Sequence, residues 1–227
     1  MKRHALIVSH GQPSEPEVGE AEITAMAAEV AKNLPGWAVH GVTLSGKGTL
    51  ETAVANLPEG TPVYPLFMAD GWFTQTVLPR RLGSARVTMM EPFGIDPELP
   101  GIAADAIRRS VTLTDSHAHE ILVAGHGSGK SPRPAQVTRE FAARLSGLLA
   151  RPVRCGFVEE AQFLAEAAKG MAPGSICLPF FATRRGHVLE DIPQALSETG
   201  FDGTLMEPLG CLPAIPALIA RRFSTTG

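Results

Sequence analysis

The chain has 227 residues, 44% of them hydrophobic and 19% charged, well outside the disordered class of low apolarity and high net charge. A net charge of −3 argues against a general nucleic-acid binder, which needs a cationic surface, but allows a local basic pocket. No apolar run approaches the ~18–20 residues of a bilayer-spanning helix, and Met1-Lys2-Arg3-His4 leads into a short strand, not a signal-peptide core.

Cys155, Cys177 and Cys211 are too scattered for a disulfide framework or a CxxC site. A cytoplasmic protein without nucleic-acid or membrane partners is expected.

In chain order, short β-branched or aromatic apolar runs predict strands at 5–9, 37–44, 61–67 and 86–90. Three- and four-residue apolar spacing predicts helices at 20–33, 49–56, 73–82 and 98–109. A polar stretch at 112–117 follows, and the same grammar starts again. Strands are predicted at 120–124, 152–158, 175–181 and 204–206, and helices at 137–149, 163–168, 188–196 and 213–223.

The recurrence extends to residue identities. Ile7-Val8-Ser9-His10-Gly11 resembles Val123-Ala124-Gly125-His126-Gly127, and Glu91-Pro92-Phe93-Gly94 resembles Glu207-Pro208-Leu209-Gly210, both at an offset of 116. Gly60, Pro65, Phe67, Pro79 and Leu82 match Gly174, Pro179, Phe181, Pro193 and Leu196 at 114. The chain therefore reads as a duplication, with domains at 1–115 and 116–227. Strands alternating with helices predict parallel sheets covered on both faces: two tandem flavodoxin-like three-layer α/β/α domains, expected to act as a built-in pseudo-dimer within one monomer.

Ligands in such folds bind outside the carboxyl ends of the strands, so the residues just after each apolar run matter most. His10-Gly11 and His126-Gly127 follow the first strand of each copy. After the third strand of the second copy comes Arg184-Arg185-Gly186-His187, then a helix carrying Glu190, Asp191 and Pro193. The first copy offers only Phe73, or Trp72, in the place of His187.

Glu159-Glu160 follow the second strand of the second copy. Aligning Gly156 with Gly41 sets these acids opposite Leu44 and Ser45. Two imidazoles and a carboxylate suit a divalent transition metal with open positions, and also suit proton abstraction. His126, His187, Glu159 and Glu160 are thus the candidate metal ligands. A working site is expected in the second copy and a degenerate one in the first.

The runs Leu122-Val123-Ala124-Gly125-His126-Gly127-Ser128 and Leu178-Pro179-Phe180-Phe181, continuing to Gly186-His187-Val188-Leu189-Glu190-Asp191-Ile192-Pro193, resemble the CbiX/sirohydrochlorin chelatase family of class II tetrapyrrole chelatases. The resemblance spans nearly all of the second copy and, more weakly, the first. It implies a lyase that inserts Co2+ or Fe2+ into sirohydrochlorin on the route to cobalamin or sirohaem. The metal is then a substrate, and no tightly bound cofactor is expected. The resemblance also implies that the histidines matched here by His126 and His187 hold the metal and take pyrrole protons beside an acid matched by Glu159 or Glu160. Two-domain bacterial members usually keep the histidine pair in the first half, whereas this chain keeps it in the second. His10, Lys130, Arg133, Arg184 and Arg185 are placed to meet the carboxylates of such a substrate.

Other readings compete. Gly129-Lys130-Ser131 completes a loosened phosphate-binding pattern after a strand, although Pro132 and Pro134 disfavour a helix running straight out of it. A non-catalytic metal or tetrapyrrole carrier would use the same ligands as a chelatase. His117 and His119 form a weaker candidate pair, His4 and His40 have no partners in sequence, and Cys211 is expected to be buried.

Overall fold

The computed structural model describes residues 2–110 and 119–226. Eight strands and eight α-helices alternate along it. In the first copy they are β1 (Arg3–Ser9), α1 (Pro16–Lys32), β2 (Trp37–Thr43), α2 (Thr49–Ala55), β3 (Thr61–Leu66), α3 (Leu78–Leu82), β4 (Val87–Met89) and α4 (Leu99–Ser110). In the second they are β5 (Ile121–Gly125), α5 (Arg133–Leu149), β6 (Val153–Phe157), α6 (Leu164–Ala168), β7 (Ser175–Pro179), α7 (Asp191–Glu198), β8 (Gly203–Leu205) and α8 (Ile215–Ser224). The predicted elements are all present. The main differences are that α1 and α5 each start four residues earlier, with Pro16 and Pro134 in their first turns where a missing N–H costs nothing, and that a π-helical turn, Phe73–Val77, leads into α3.

Each copy forms a four-stranded sheet, in the orders β2-β1-β3-β4 and β6-β5-β7-β8, with every pairing parallel. Alternation along a strand directs successive side chains to opposite faces. Leu6 and Val8 pack with Leu50 of α2 and with Leu78 and Leu82 of α3. On the other face, Tyr64 of β3 meets Phe223 of α8, with ring centroids 6.0 Å apart. The second sheet repeats this arrangement: Leu122 and Ala124 pack with α6 and α7, and Phe141 of α5 meets Phe180, centroids 4.6 Å apart.

The compact units do not coincide with the sequence copies. One comprises Met1–Gly94 with Pro213–Gly227 and the other Ile95–Leu212. The expected division at 115/116 follows the sequence repeat, whereas the compact units follow the packing of α4 on α5 and of α8 on α1. Each copy's last helix buries its apolar face, which in α4 is Leu99, Ala103, Ala104 and Ile107, against the first helix of the other copy.

The glycines of the duplicated Glu-Pro-x-Gly motif have a steric cause. A Cβ on Gly94 would stand 2.0 Å from the Met68 carbonyl oxygen, and one on Gly210 would stand 2.0 Å from that of Ala182. In both copies the glycine N–H also donates to the third-strand end, Gly94 to Phe67 O and Gly210 to Phe181 O, at 2.9 Å each.

His4 and His40, unpartnered in sequence, meet across β1 and β2 with 3.2 Å between ring nitrogens. Partial desolvation of the ring, and then the charge of His4, hold the His40 imidazole below its ordinary value of 6.5. Between that value and the lower folded one, the unfolded chain binds more protons than the native chain, so stability falls as pH falls through this window. Thermal unfolding at pH 7 and pH 5 should therefore show a larger drop for wild type than for His40→Gln, and equal drops would contradict the assignment.

Candidate metal centre

The site builds from three strand ends of the unit Ile95–Leu212. β5 delivers His126, β6 delivers Glu159, and the stretch after β7 delivers His187 from a short 3-10 turn, Gly186–Val188. Gly127 adopts a φ of 71°, a conformation that side chains with a Cβ rarely take. This turn keeps His126 at the sheet edge, where its backbone carbonyl accepts from Glu159 N–H at 2.9 Å.

One ligating atom each of His126, Glu159 and His187 lies within 4.8 Å of the other two. Glu159 Oε1 is 3.7 Å from His187 Nε2, and Glu159 Oε2 is 4.0 Å from His126 Nδ1. The imidazoles stand edge to face, with centroids 4.7 Å apart and planes at 85°. Three ligands bound at about 2.0–2.2 Å to one metal would be roughly 3–3.6 Å from one another. The cluster is looser than that and open to solvent, with side-chain exposures of 46%, 52% and 33%. It suits a metal that arrives and leaves.

Both histidines have one nitrogen committed. His126 Nδ1–H donates to Gly127 O at 2.8 Å. His187 Nδ1–H donates to Asp191 Oδ2 at 2.6 Å. Each bond sets the tautomer and leaves Nε2 with a free lone pair, the arrangement found around metal-ligating histidines. The sequence places Asp191 only in the helix that follows His187, and the structure makes it the partner that holds this imidazole. Its signal was the four-residue spacing from His187.

Glu160, expected among the ligands, lies outside this cluster. Its Oε2 accepts from Ser128 N–H at 3.0 Å, and its Oε1 stands 3.7 Å from Arg139, so it fixes the loop after β5. The same bond weighs against nucleotide binding. Ser128 N–H is taken by a carboxylate, and the amides of Lys130 and Arg133 are taken by the Ser128 and Ser131 hydroxyls. A phosphate would find those donors occupied, even though a helix does start close behind the glycine-lysine-serine run.

Of the candidate substrate-binding cations, Lys130 is exposed. Arg184 pairs with Glu207 at 3.0 Å, and Arg133 stands 3.6 Å from Glu140. Arg185 is half-buried at the entry to the 3-10 turn. Cys177 lies in the core beneath the site, where burial pushes its thiol up to about 12, and burial likewise raises Cys155 to about 11. Neither supplies a thiolate ligand near neutral pH. Cys211 is exposed on a 3-10 turn, not buried as expected. His119 packs its ring against Gly174, and His117 lies outside the described residues.

His10 occupies the equivalent place in the unit Met1–Gly94 with Pro213–Gly227. Its Nδ1–H donates to Gly11 O at 2.7 Å, and its ring meets Phe73 at 4.4 Å and 87°. This reproduces the His126–His187 geometry and identifies Phe73, not Trp72, as the counterpart of His187. Trp72 is 66% exposed. Main-chain bonds also correct the sequence alignment by one residue. Ser45 N–H donates to His10 O as Glu159 N–H does to His126 O, so Ser45, not Leu44, stands where Glu159 stands.

A family model described as CbiX matches residues 120–226. The solved structure of CbiX, the terminal enzyme for biosynthesis of siroheme in denitrifying bacteria, is 41% identical, with a TM-score of 0.88 over 98% of this chain and 99% of that one. SirB from Bacillus subtilis with Fe3+ superposes with a TM-score of 0.79 at 16% identity, over 100% of this chain and 96% of that one. The sirohydrochlorin chelatase SirB from Bacillus subtilis subspecies spizizenii, in complex with cobalt, gives 0.68 at 16%, over 100% and 95%. At that identity the two SirB structures speak for the fold alone. No curated protein matches.

Proposed function

Because the chain belongs to the CbiX family, we propose that it is a sirohydrochlorin chelatase, inserting Co2+ or Fe2+ into the metal-free macrocycle on the route to cobalamin or sirohaem. The observation that carries the site assignment is the convergence of His126, Glu159 and His187 with both Nδ1 atoms already tied.

Insertion replaces two pyrrole N–H protons by one dication, so the protein must present a partly desolvated metal beside a proton acceptor. The two free Nε2 lone pairs and the Glu159 carboxylate hold the ion from one side. The carboxylate offsets part of its charge as water is shed. A histidine that releases the metal to the macrocycle regains a free lone pair and can take a pyrrole proton. Asp191 steadies His187 and stabilises the imidazolium that then forms. Lys130, Arg133, Arg184 and Arg185 are the cations offered to the substrate's carboxylates, Arg133 and Arg184 by exchanging their ion pairs with Glu140 and Glu207. The cytoplasm, where metal-free tetrapyrroles and reduced cysteines coexist, is the compartment this reading requires.

Purified protein mixed anaerobically with sirohydrochlorin and either Co2+ or Fe2+ should convert the free-base absorption spectrum to the metallated one faster than buffer does. Metal binding without spectral conversion by any divalent ion would make the protein a carrier and overturn the enzyme assignment.

A further inference from the structure

Away from the metal centre, the fold brings together a second pair of metal-ligating side chains. His4 lies on β1 and His40 on β2. Leu6 is registered opposite His40 and Ala38 opposite His4, so the two imidazoles are diagonal neighbours on one face of the sheet. His4 Nδ1 is 3.2 Å from His40 Nε2. The ring planes differ by 5°, with centroids 5.4 Å apart. A centroid separation so much longer than the nitrogen separation places the rings edge to edge, with their nitrogens facing each other.

We infer that His4 and His40 form a second, bidentate site for a nitrogen-preferring divalent metal of the Co2+, Ni2+, Cu2+ and Zn2+ group. Two cis ligands at about 2.1 Å from a metal stand about 3.0 Å apart at a right angle and about 3.4 Å apart at the tetrahedral angle. The observed 3.2 Å falls between these limits, so rotation of the two rings about their side-chain bonds brings both lone pairs onto one ion. The parallel ladder between β1 and β2 fixes the two backbones, so little ordering remains when the metal binds. His40 is exposed, which leaves water to complete the coordination shell.

The hollow beside His40 is also lined by Glu20 and Lys47. Glu20 Oε1 already accepts from Thr43 N–H, Thr43 Oγ1 and Thr49 Oγ1, so it adds no third ligand. His4 precedes His10 by six residues along the strand direction, roughly 20 Å at the rise of an extended chain. The pair therefore sits towards the opposite end of the sheet from the strand ends that carry His10. Imidazole donors favour Cu2+ and Ni2+ over Co2+, and a two-ligand site should follow that order.

The test uses the full chain carrying His126→Ala and His187→Ala, titrated calorimetrically with Cu2+ and with Ni2+ in a non-coordinating buffer at pH 7.5. One equivalent should bind, and adding His40→Gln or His4→Gln should each weaken binding at least tenfold. The combined variant should be no weaker than either alone. Circular dichroism and unfolding temperature, read on every variant, separate loss of ligand from loss of fold. Absence of binding in the parent, or a loss on His4→Gln that His40→Gln does not reproduce, would overturn the site.

Discussion

Replacing His126 or His187 by alanine should abolish metal insertion into sirohydrochlorin, with a fall of at least about 100-fold in turnover, whereas His10→Ala should stay within about tenfold of wild type. Losing a positioned proton acceptor alone costs typically 10²–10⁴-fold, and each of these histidines is also a proposed metal donor. His126 and His187 face the same carboxylate from two sides, so neither can replace the other. His10 faces Phe73 and, among the described residues, belongs to no cluster of three metal-ligating groups. The variants should fold normally, because both side chains are at least one-third exposed and surface substitutions usually change stability by less than about 0.5 kcal/mol. Asp191→Asn removes the carboxylate that accepts from His187 Nδ1 and should cost an intermediate 10–100-fold, the usual effect of losing a histidine's supporting partner. Equal insertion rates in the His126, His187 and His10 variants would refute the assignment of one working centre.

The contrast between the two histidines of the second copy and the lone histidine of the first is also what made the centre legible in the sequence. A single His-Gly after a strand says little. The same turn twice, with the accompanying imidazole and acid kept only once, points to the second copy as the one that carries the candidate centre. Asp191 was invisible for the opposite reason, since an acid in the first turn of a helix is expected whether or not it holds a histidine.

The fold was legible because parallel strands buried on both faces are short apolar runs and the covering helices have their own period. The duplication was legible at Gly94 and Gly210 because a neighbouring carbonyl occupies the place of a Cβ in both copies. Gly41 and Gly156 misled the alignment because they are glycines for different reasons. A Cβ on Gly41 would strike the Ile23 carbonyl oxygen of α1, while one on Gly156 would meet Leu164 and Ala167 of α6. Those helices cover opposite faces of their sheets, so the two glycines cannot be counterparts. Helix exchange left no trace in the sequence either, since the apolar stripe of α4 reads the same whichever unit it covers. The His4–His40 contact depends on strand register, which no local pattern reveals.

If the copies differ at their strand ends only in a few side chains, the lost centre can be rebuilt. The first copy keeps the His10 turn, with Gly11 at a φ of 70° against 71° for Gly127. It also keeps the aromatic neighbour, since His10 lies 6.5 Å from Phe67 where His126 lies 6.3 Å from Phe181. What it lacks are the counterparts of His187, Glu159 and Asp191, whose places are held by Phe73, Ser45 and, at the offset of the third strand, Val77. Phe73→His together with Ser45→Glu, made in a chain already stripped of His126, His187 and His40, should raise Co2+ binding from none to one equivalent. Phe73→His alone should bind more weakly, having two donors instead of three. Adding Val77→Asp should then tighten binding by about 10–100-fold through tautomer control, provided the turn it sits in can present the carboxylate to the new imidazole. In this copy that turn is π-helical, whereas the second copy uses a 3-10 turn running into α7. Metal binding that appears with the first two substitutions and does not improve with the third would place the remaining difference between the copies in the backbone of that turn. No binding with all three would mean that the resemblance between the two strand ends is one of shape without function.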